Sequence, residues 1–234
     1  LFPSAHMVGS VMALVEDEYK RYVYTSDFSW PLLHFPENVD ILVVDATYGN
    51  PAYQRNYDEK TVVERLIEIV LEKLLEGPLI ISGHRGRVQY AAALLSTYTK
   101  HPFLVSRSIR KTLPTYARQQ GIVLDSLHDF DCNEGRLILQ RKNTFLGFVE
   151  TRDRHEMLHM ADYPRILLSA YMVPGQEPVL AHPSGLTRIA LTDHADFRGT
   201  LNLIEAIAPR QVITDASRGG DGECLADYVR RELK

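Results

Sequence analysis

A chain of 234 residues with 45% apolar side chains can fill a real core, as one large domain or two small ones, and reads as globular. Its 26 Lys and Arg against 30 Asp and Glu leave a formal charge of -4 at pH 7, which advertises no polyanion partner, so any nucleic-acid site must be a local patch. Cys132 and Cys224 stand far apart without CxxC spacing, against a disulfide framework or a thiolate zinc site, and no apolar run reaches membrane-spanning length or forms a secretory leader, so a protein of the reducing cytoplasm is expected.

The chain opens on Leu1-Phe2-Pro3, without an initiator Met, and runs straight into a Gly/Ser turn, which reads as the middle of a domain. Val11 to Val15 and Tyr22 to Thr25 flank the charged turn Glu16-Asp17-Glu18 and predict a hairpin, and Ile41 to Val44 predicts a buried strand ending at Asp45. From Asp58 to Glu76, Val62, Leu66, Ile69, Val70 and Leu74 follow helical spacing, with Asp58 as the cap and Gly77-Pro78 as the stop. Leu79-Ile80-Ile81, the turn Ser82 to Arg87 and the helix-prone Val88 to Leu95 form a βα unit of an open sheet.

Strands are expected at Phe103 to Val105 and Ile122 to Leu124, around a helix from about Ile109 to Gln119 that Pro114 interrupts. Weaker strand signals lie at Ile138-Leu139 and Phe145 to Val149; Arg165 to Ala170 is firmer and ends at Tyr171-Met172-Val173-Pro174-Gly175. The last strand pair is Thr187 to Leu191 and Gln211 to Ile213 with a helix at about Phe197 to Ile207 between, and a terminal helix covers Cys224 to Leu233.

His6, Asp27, Asp45 and His194 all stand at or just beyond strand ends, where α/β enzymes place reacting groups. Imidazole with carboxylate suits a borderline cation such as zinc. Strand-end Asp and His also commonly serve as caps and turn residues, so position alone does not establish a site.

The segments carrying these residues, in order, resemble the β-CASP family of the metallo-β-lactamase superfamily. His6-Met7-Val8-Gly9-Ser10 resembles its His-x-x-Gly-Ser motif and Ser26-Asp27-Phe28-Ser29 its Gly-Asp-Phe-Ser motif. Asp45-Ala46-Thr47-Tyr48-Gly49 is similar to the acidic-x-Thr-Tyr-Gly motif, and Thr192-Asp193-His194-Ala195-Asp196 to the Ser-x-His-x-Asp motif. The resemblance implies a hydrolase of RNA or DNA phosphodiesters that uses zinc, two ions in a complete member, with His6 a ligand and Asp27 the bridging carboxylate. Asp45 and His194 are then catalytic: Asp45 polarises its neighbour, and His194 binds a phosphate oxygen or protonates the leaving oxygen.

The family's His-x-His-x-Asp-His motif, which supplies several ligands, does not occur in these 234 residues. Where relatives place a metal-binding His followed by Gly, this chain has Asp215, a metal ligand or a turn cap before Gly219-Gly220. With His6 and Asp27 as the firm ligands, either the segment bearing the motif is missing from this chain or the protein is metal-poor.

The turn Gly83-His84-Arg85-Gly86-Arg87 places basic groups at a helix start, and the resemblance matches Gly86-Arg87-Val88-Gln89 to the family's Gly-Arg-x-Gln turn. His84, Arg85 and Arg87, with Arg107 and Arg110 beyond the next strand, are the candidate nucleic-acid contacts. His155-Glu156-Met157-Leu158-His159 fits the zinc-protease pattern, but Pro164 limits its helix and no third-ligand pattern follows, so an ordinary surface helix is the better reading.

The expected architecture is α/β: residues 1–49 and 186–234 form the later part of a metallo-β-lactamase αββα sandwich, and 50–185 an inserted β-CASP domain. The expected function is a metal-dependent nuclease on RNA or single-stranded DNA, similar to mRNA 3′-end processing nucleases, with ligase-associated exonucleases as close competitors. The alternative is a catalytically defective nucleic-acid-binding or scaffold homologue. A homo-oligomer or a processing-complex subunit fits either, and no membrane partner is expected.

Overall fold

A computed structural model of the chain describes residues 1–141, 143–169, 177–217 and 219–233, apart from the side chains of Arg154 and His159. The protein is α/β and divides into two compact units, Leu1–Asn56 with Asp193–Lys234 and Tyr57–Met172 with Glu177–Thr192.

The first unit begins with strands β1 (Phe2–Pro3), β2 (Val11–Glu16), β3 (Arg21–Tyr24) and β4 (Ile41–Asp45). β2 and β3 form the expected hairpin, with Ala13 opposite Tyr24 and Glu16 opposite Arg21. Asp17 closes its turn by accepting the backbone N–H groups of Tyr19 and Lys20, each at 2.8 Å. β4 then joins β3 in parallel.

The second unit is a three-layer sandwich. Helix α1 (Glu59–Glu76) buries Val62, Leu66, Val70 and Leu74, an i, i+4 stripe, and Asp58 caps it by accepting from Thr61 N. Then come β5 (Leu79–Gly83), α2 (Arg87–Leu95), β6 (Phe103–Val105), α3 (Arg107–Gln119), β7 (Leu127–Asp129), α4 (Asn133–Gln140), β8 (Leu146–Glu150), α5 (Arg154–His159), β9 (Arg165–Leu168), β10 (Val179–Ala181) and β11 (Leu186–Ile189). The sheet order is β10-β11-β9-β5-β8-β6-β7, parallel except for the β10–β11 pair. β5 and β8 are buried along their whole length, as interior strands of a parallel sheet must be. Leu79, Ile81 and Phe148 pack on one side with α1, α2 and α3; Ile80, Leu104 and Val149 pack on the other with residues of α4 and α5.

The chain returns to the first unit through α6 (Phe197–Ile207), β12 (Gln211–Asp215) and α7 (Gly222–Glu232). β12 adds in parallel to β4, giving the order β1-β2-β3-β4-β12. Met12, Val23, Leu42 and Val44 point to one face and form a core with Leu201, Ile204 and Leu225 of the helices. Period-2 alternation sends Val11, Val15, Tyr24 and Ile213 to the opposite face, where all four are exposed.

Two predicted strands are not strands. Ile122 follows the end of α3, its N–H bonded to Ala117 O at 2.9 Å, and the strand comes later, at Leu127–Asp129. Ile138 and Leu139 lie in α4, which Cys132 caps by accepting from Gly135 N. Short apolar runs fit either period, and local capping decided for helix. The unit boundaries also differ from the expected 49/50 and 185/186. Leu186–Ile189 pairs in register with Arg165–Leu168 and so belongs to the second sheet, while 50–56 stays with the first unit. Ala170 and the predicted strand end Tyr171 to Gly175 lie outside the described residues. Among those residues no helix is long and apolar enough to cross a membrane.

Candidate metal centre

The centre is built in the first unit from three loops. Ser4 is fully buried and joins the first two: its Oγ lies 2.8 Å from the Asp27 carbonyl and 2.9 Å from Ser10 Oγ, and its carbonyl accepts from Ser29 N at 2.9 Å. Ser10 closes the Met7–Ser10 turn through Oγ–Met7 O and Met7 N–Oγ bonds of 2.8 and 3.0 Å. Ala5 and Ser26, each directly before a candidate ligand, hold left-handed backbone at φ 55 and 54. Such a conformation costs a non-glycine residue about 1–2 kcal/mol, and strain of this kind gathers where side-chain aim matters more than local comfort.

His6 Nε2 stands 3.7 Å from Asp27 Oδ2, and His6 Nδ1 lies 3.0 Å from the Asp193 carbonyl. A proton on Nδ1 shared with that carbonyl leaves the Nε2 lone pair on the Asp27 side, the tautomer a metal ligand needs. The rings of His6 and His194 meet at 4.6 Å between centroids and 66°. One donor atom each from His6, Asp27 and His194 lie within 4.8 Å of one another.

His194 is oriented in turn. Its Nδ1 faces Asp45 Oδ2 at 3.5 Å. The other carboxylate oxygen of Asp45 takes Thr47 N at 3.0 Å and Thr47 Oγ1 at 2.7 Å. Burial pushes the Asp45 carboxyl up, but the hydrogen bonds from His194 and Thr47 outweigh it and hold the group below its ordinary value of 3.8. A depressed carboxylate stabilises the fold fully above its unfolded pKa and loses that contribution as pH falls through the lower folded value. The destabilisation caused by Asp45→Asn, from urea unfolding, is therefore expected to be larger at pH 6 than at pH 3.

Arg55 pins the third loop. Both of its terminal nitrogens donate to the His194 carbonyl at 3.2 Å, its backbone N–H donates to Asp196 Oδ2 at 2.8 Å, and its guanidinium lies 5.5 Å from the Tyr48 ring centre. Asp196 also caps α6, accepting from Gly199 N at 2.7 Å.

Two imidazoles and a carboxylate, mostly shielded from water, suit zinc, and three protein donors is the number found in open catalytic zinc sites. The residues present therefore fit one ion. Among the described residues they form the one group of this kind. Asp215 is the in-register partner of Asp45 but stands outside that group, its carboxylate taking the Tyr24 hydroxyl at 3.1 Å and Ser217 N at 2.9 Å.

No family model matches the chain. It is 30% identical over 114 residues, 47% of this chain and 81% of the relative, to an Acidianus ambivalens protein named "Uncharacterized protein in lig 3'region". The chain belongs to the family of that protein. A crystal structure of a protein of unknown function from Enterococcus faecalis V583 has the same fold, with a TM-score of 0.59 at 14% identity over 95% of this chain. The chain spans 58% of that protein's length.

In this member of the family the predicted basic contacts part company. His84 and Arg85 are exposed, whereas Arg87 is only 7% exposed and belongs to the interior of the second unit. Arg107 pairs with Asp131 at 3.3 Å, and Arg110 lies 3.9 Å from Asp129. His155 and Glu156 lie on the six-residue α5, while the His159 side chain lies outside the described residues. Sequence reasoning missed Arg55, Asp193 and Arg152. Asp193 had a signal, as the neighbour of His194; Arg55 and Arg152 stand in no motif.

Proposed function

We propose that this chain carries the metal centre of a metal-dependent phosphodiester hydrolase acting on RNA or single-stranded DNA, of the β-CASP type. The convergence of His6, Asp27 and His194, with Asp45 bracing His194, is the observation that carries the reading. The sheet of the first unit adds support. Helices cover one face and the other presents Val11, Val15, Tyr24 and Ile213, which suits one layer of a sandwich whose second sheet packs there.

His6, Asp27 and His194 would hold a zinc ion, which polarises a phosphoryl oxygen and lowers the pKa of bound water. Asp45 keeps the His194 ring aimed and its Nδ1 proton in place, and the Asp193 carbonyl does the same for His6. Arg55 fixes the backbone that presents the His194 ring, so the loop cannot shift there without breaking two hydrogen bonds.

Metal analysis after dialysis, with cleavage assays on end-labelled RNA and single-stranded DNA, tests the proposal. Bound zinc and cleavage of either polymer are expected, and chelation should abolish cleavage. A metal-free chain that retains RNA without cutting it would favour the second reading, a non-catalytic nucleic-acid-binding homologue. That reading draws on the single three-donor group among the described residues and on the engagement of Asp215 by Tyr24 and Ser217.

A further inference from the structure

The carboxyl ends of β5 and β8 carry a second constellation, which the metal centre does not use. The two strands are parallel neighbours, with Gly83 opposite Glu150 at their ends. The helix that follows β5 packs on the Ile81 face, while Met157 of the helix that follows β8 packs on the Ile80 face. Outgoing connections that leave adjacent parallel strands to opposite faces open a crevice at the strand ends, where open α/β sheets bind their ligands.

Glu150 sits at that point and is 1% exposed. Its Oε1 accepts from Gln89 Nε2 at 3.0 Å and from Arg85 Nε at 3.3 Å, while Arg152 Nε stands 2.5 Å from Oε2 as an ion pair. Gln89 is itself held, its Oε1 accepting from Gly86 N at 2.8 Å and its Nε2 lying 3.0 Å from Thr112 Oγ1. Both guanidiniums are thus tied through Nε to one oxygen each. Among the described residues neither has a further polar partner, and the side chains are 47% and 57% exposed. Their terminal nitrogens remain for another acceptor.

A buried carboxylate is an expensive way to join two strands, since apolar side chains would pack as well without the desolvation. What it achieves here is to hold two forked cations side by side on long stems that would otherwise wander. Two guanidiniums over one carboxylate leave an excess positive charge, and paired forks match the oxygens of a tetrahedral oxyanion. We infer that Arg85 and Arg152, braced by Glu150, form a phosphate-binding site in the second unit. The phosphate belongs either to a free phosphate or mononucleotide, or to a polynucleotide backbone. The inference does not rest on the proposed metal chemistry and survives its failure.

The test uses the whole chain, stripped of metal by chelation and labelled with nitrogen-15, titrated with inorganic phosphate while the arginine Nε–Hε signals are followed. The Arg85 and Arg152 signals should shift. Arg152→Gln and Arg85→Gln should still fold, with a lowered melting temperature because each leaves the buried Glu150 charge less compensated, and should weaken phosphate binding about tenfold or more. Arg152→Lys should weaken it as well, because an ammonium keeps the charge but not the fork. A single-stranded oligonucleotide that displaces inorganic phosphate assigns the site to a backbone phosphate, and one that does not assigns it to the free anion. Arginine signals that stay still, or folded Gln variants that bind phosphate as tightly as wild type, overturn the inference.

Discussion

His194→Ala is expected to lower the zinc affinity of the chain on the order of 100-fold and to reduce cleavage by about 10²–10⁴-fold. The ring is one of the three donors that could hold an ion, and its removal would leave His6 and Asp27, too few to keep zinc against buffer. His6→Ala should match it in metal loss. Asp45→Asn should fall between these variants and wild type, since it removes only the partner of the ring, a change worth about 10–100-fold in affinity or activity. The measurement is metal content after dialysis beside turnover on labelled RNA. Full zinc content with abolished cleavage in His194→Ala would take His194 off the ion and leave it the proton-donating role that the sequence resemblance implies.

Gly220→Ala should cost about 3 kcal/mol of stability and lower the melting temperature by roughly 6–12 °C. The residue holds φ 116, and an added Cβ would lie 2.4 Å from the Ala46 carbonyl oxygen and 2.8 Å from Thr47 Cα. Neither neighbour can retreat easily. Ala46 N is bonded to Asp215 O at 2.9 Å, and Ala46 O accepts from Gly49 N and Asp221 N, both at 3.0 Å. Thr47 carries the hydroxyl and N–H that hold Asp45, so the same clash should also disturb His194. Gly219→Ala is the control: φ 99 strains it too, but its Cβ would enter open space, so only about 1–2 kcal/mol is expected. Equal losses in the two variants would show that the backbone angle, not the contact with Ala46, makes the glycine necessary.

Elements whose sequence carried one strong period were legible. The i, i+4 stripe of α1 with Asp58 before it, and the Leu79-Ile80-Ile81 run between Gly77-Pro78 and Gly83, were found where expected because each is decided by its own residues and its own burial. Ile122 to Leu124 and Ile138-Leu139 were misread because three or two apolar residues carry no period, and a cap or a neighbouring helix end then decides. Arg87 looked like a surface cation beside Arg85, yet the turn buries one and exposes the other. Nothing in a five-residue string distinguishes the two, because burial is set by strands and helices distant in sequence.

The site divides in the same way. The sequence by itself determined that His6, Asp27, Asp45 and His194 stand at strand ends, since each follows or precedes a short β-prone run and a turn. It also determined the α/β class, through the alternation of the two hydrophobic periods. Only the tertiary structure decided that three of the four offer donor atoms within 4.8 Å, that Arg55 holds the His194 backbone and the Asp193 carbonyl the His6 imidazole, and that Arg85 and Arg152 share Glu150. Those contacts join residues far apart in the chain, and their existence depends on which strands pair, a choice made by burial of whole sheet faces rather than by any local pattern.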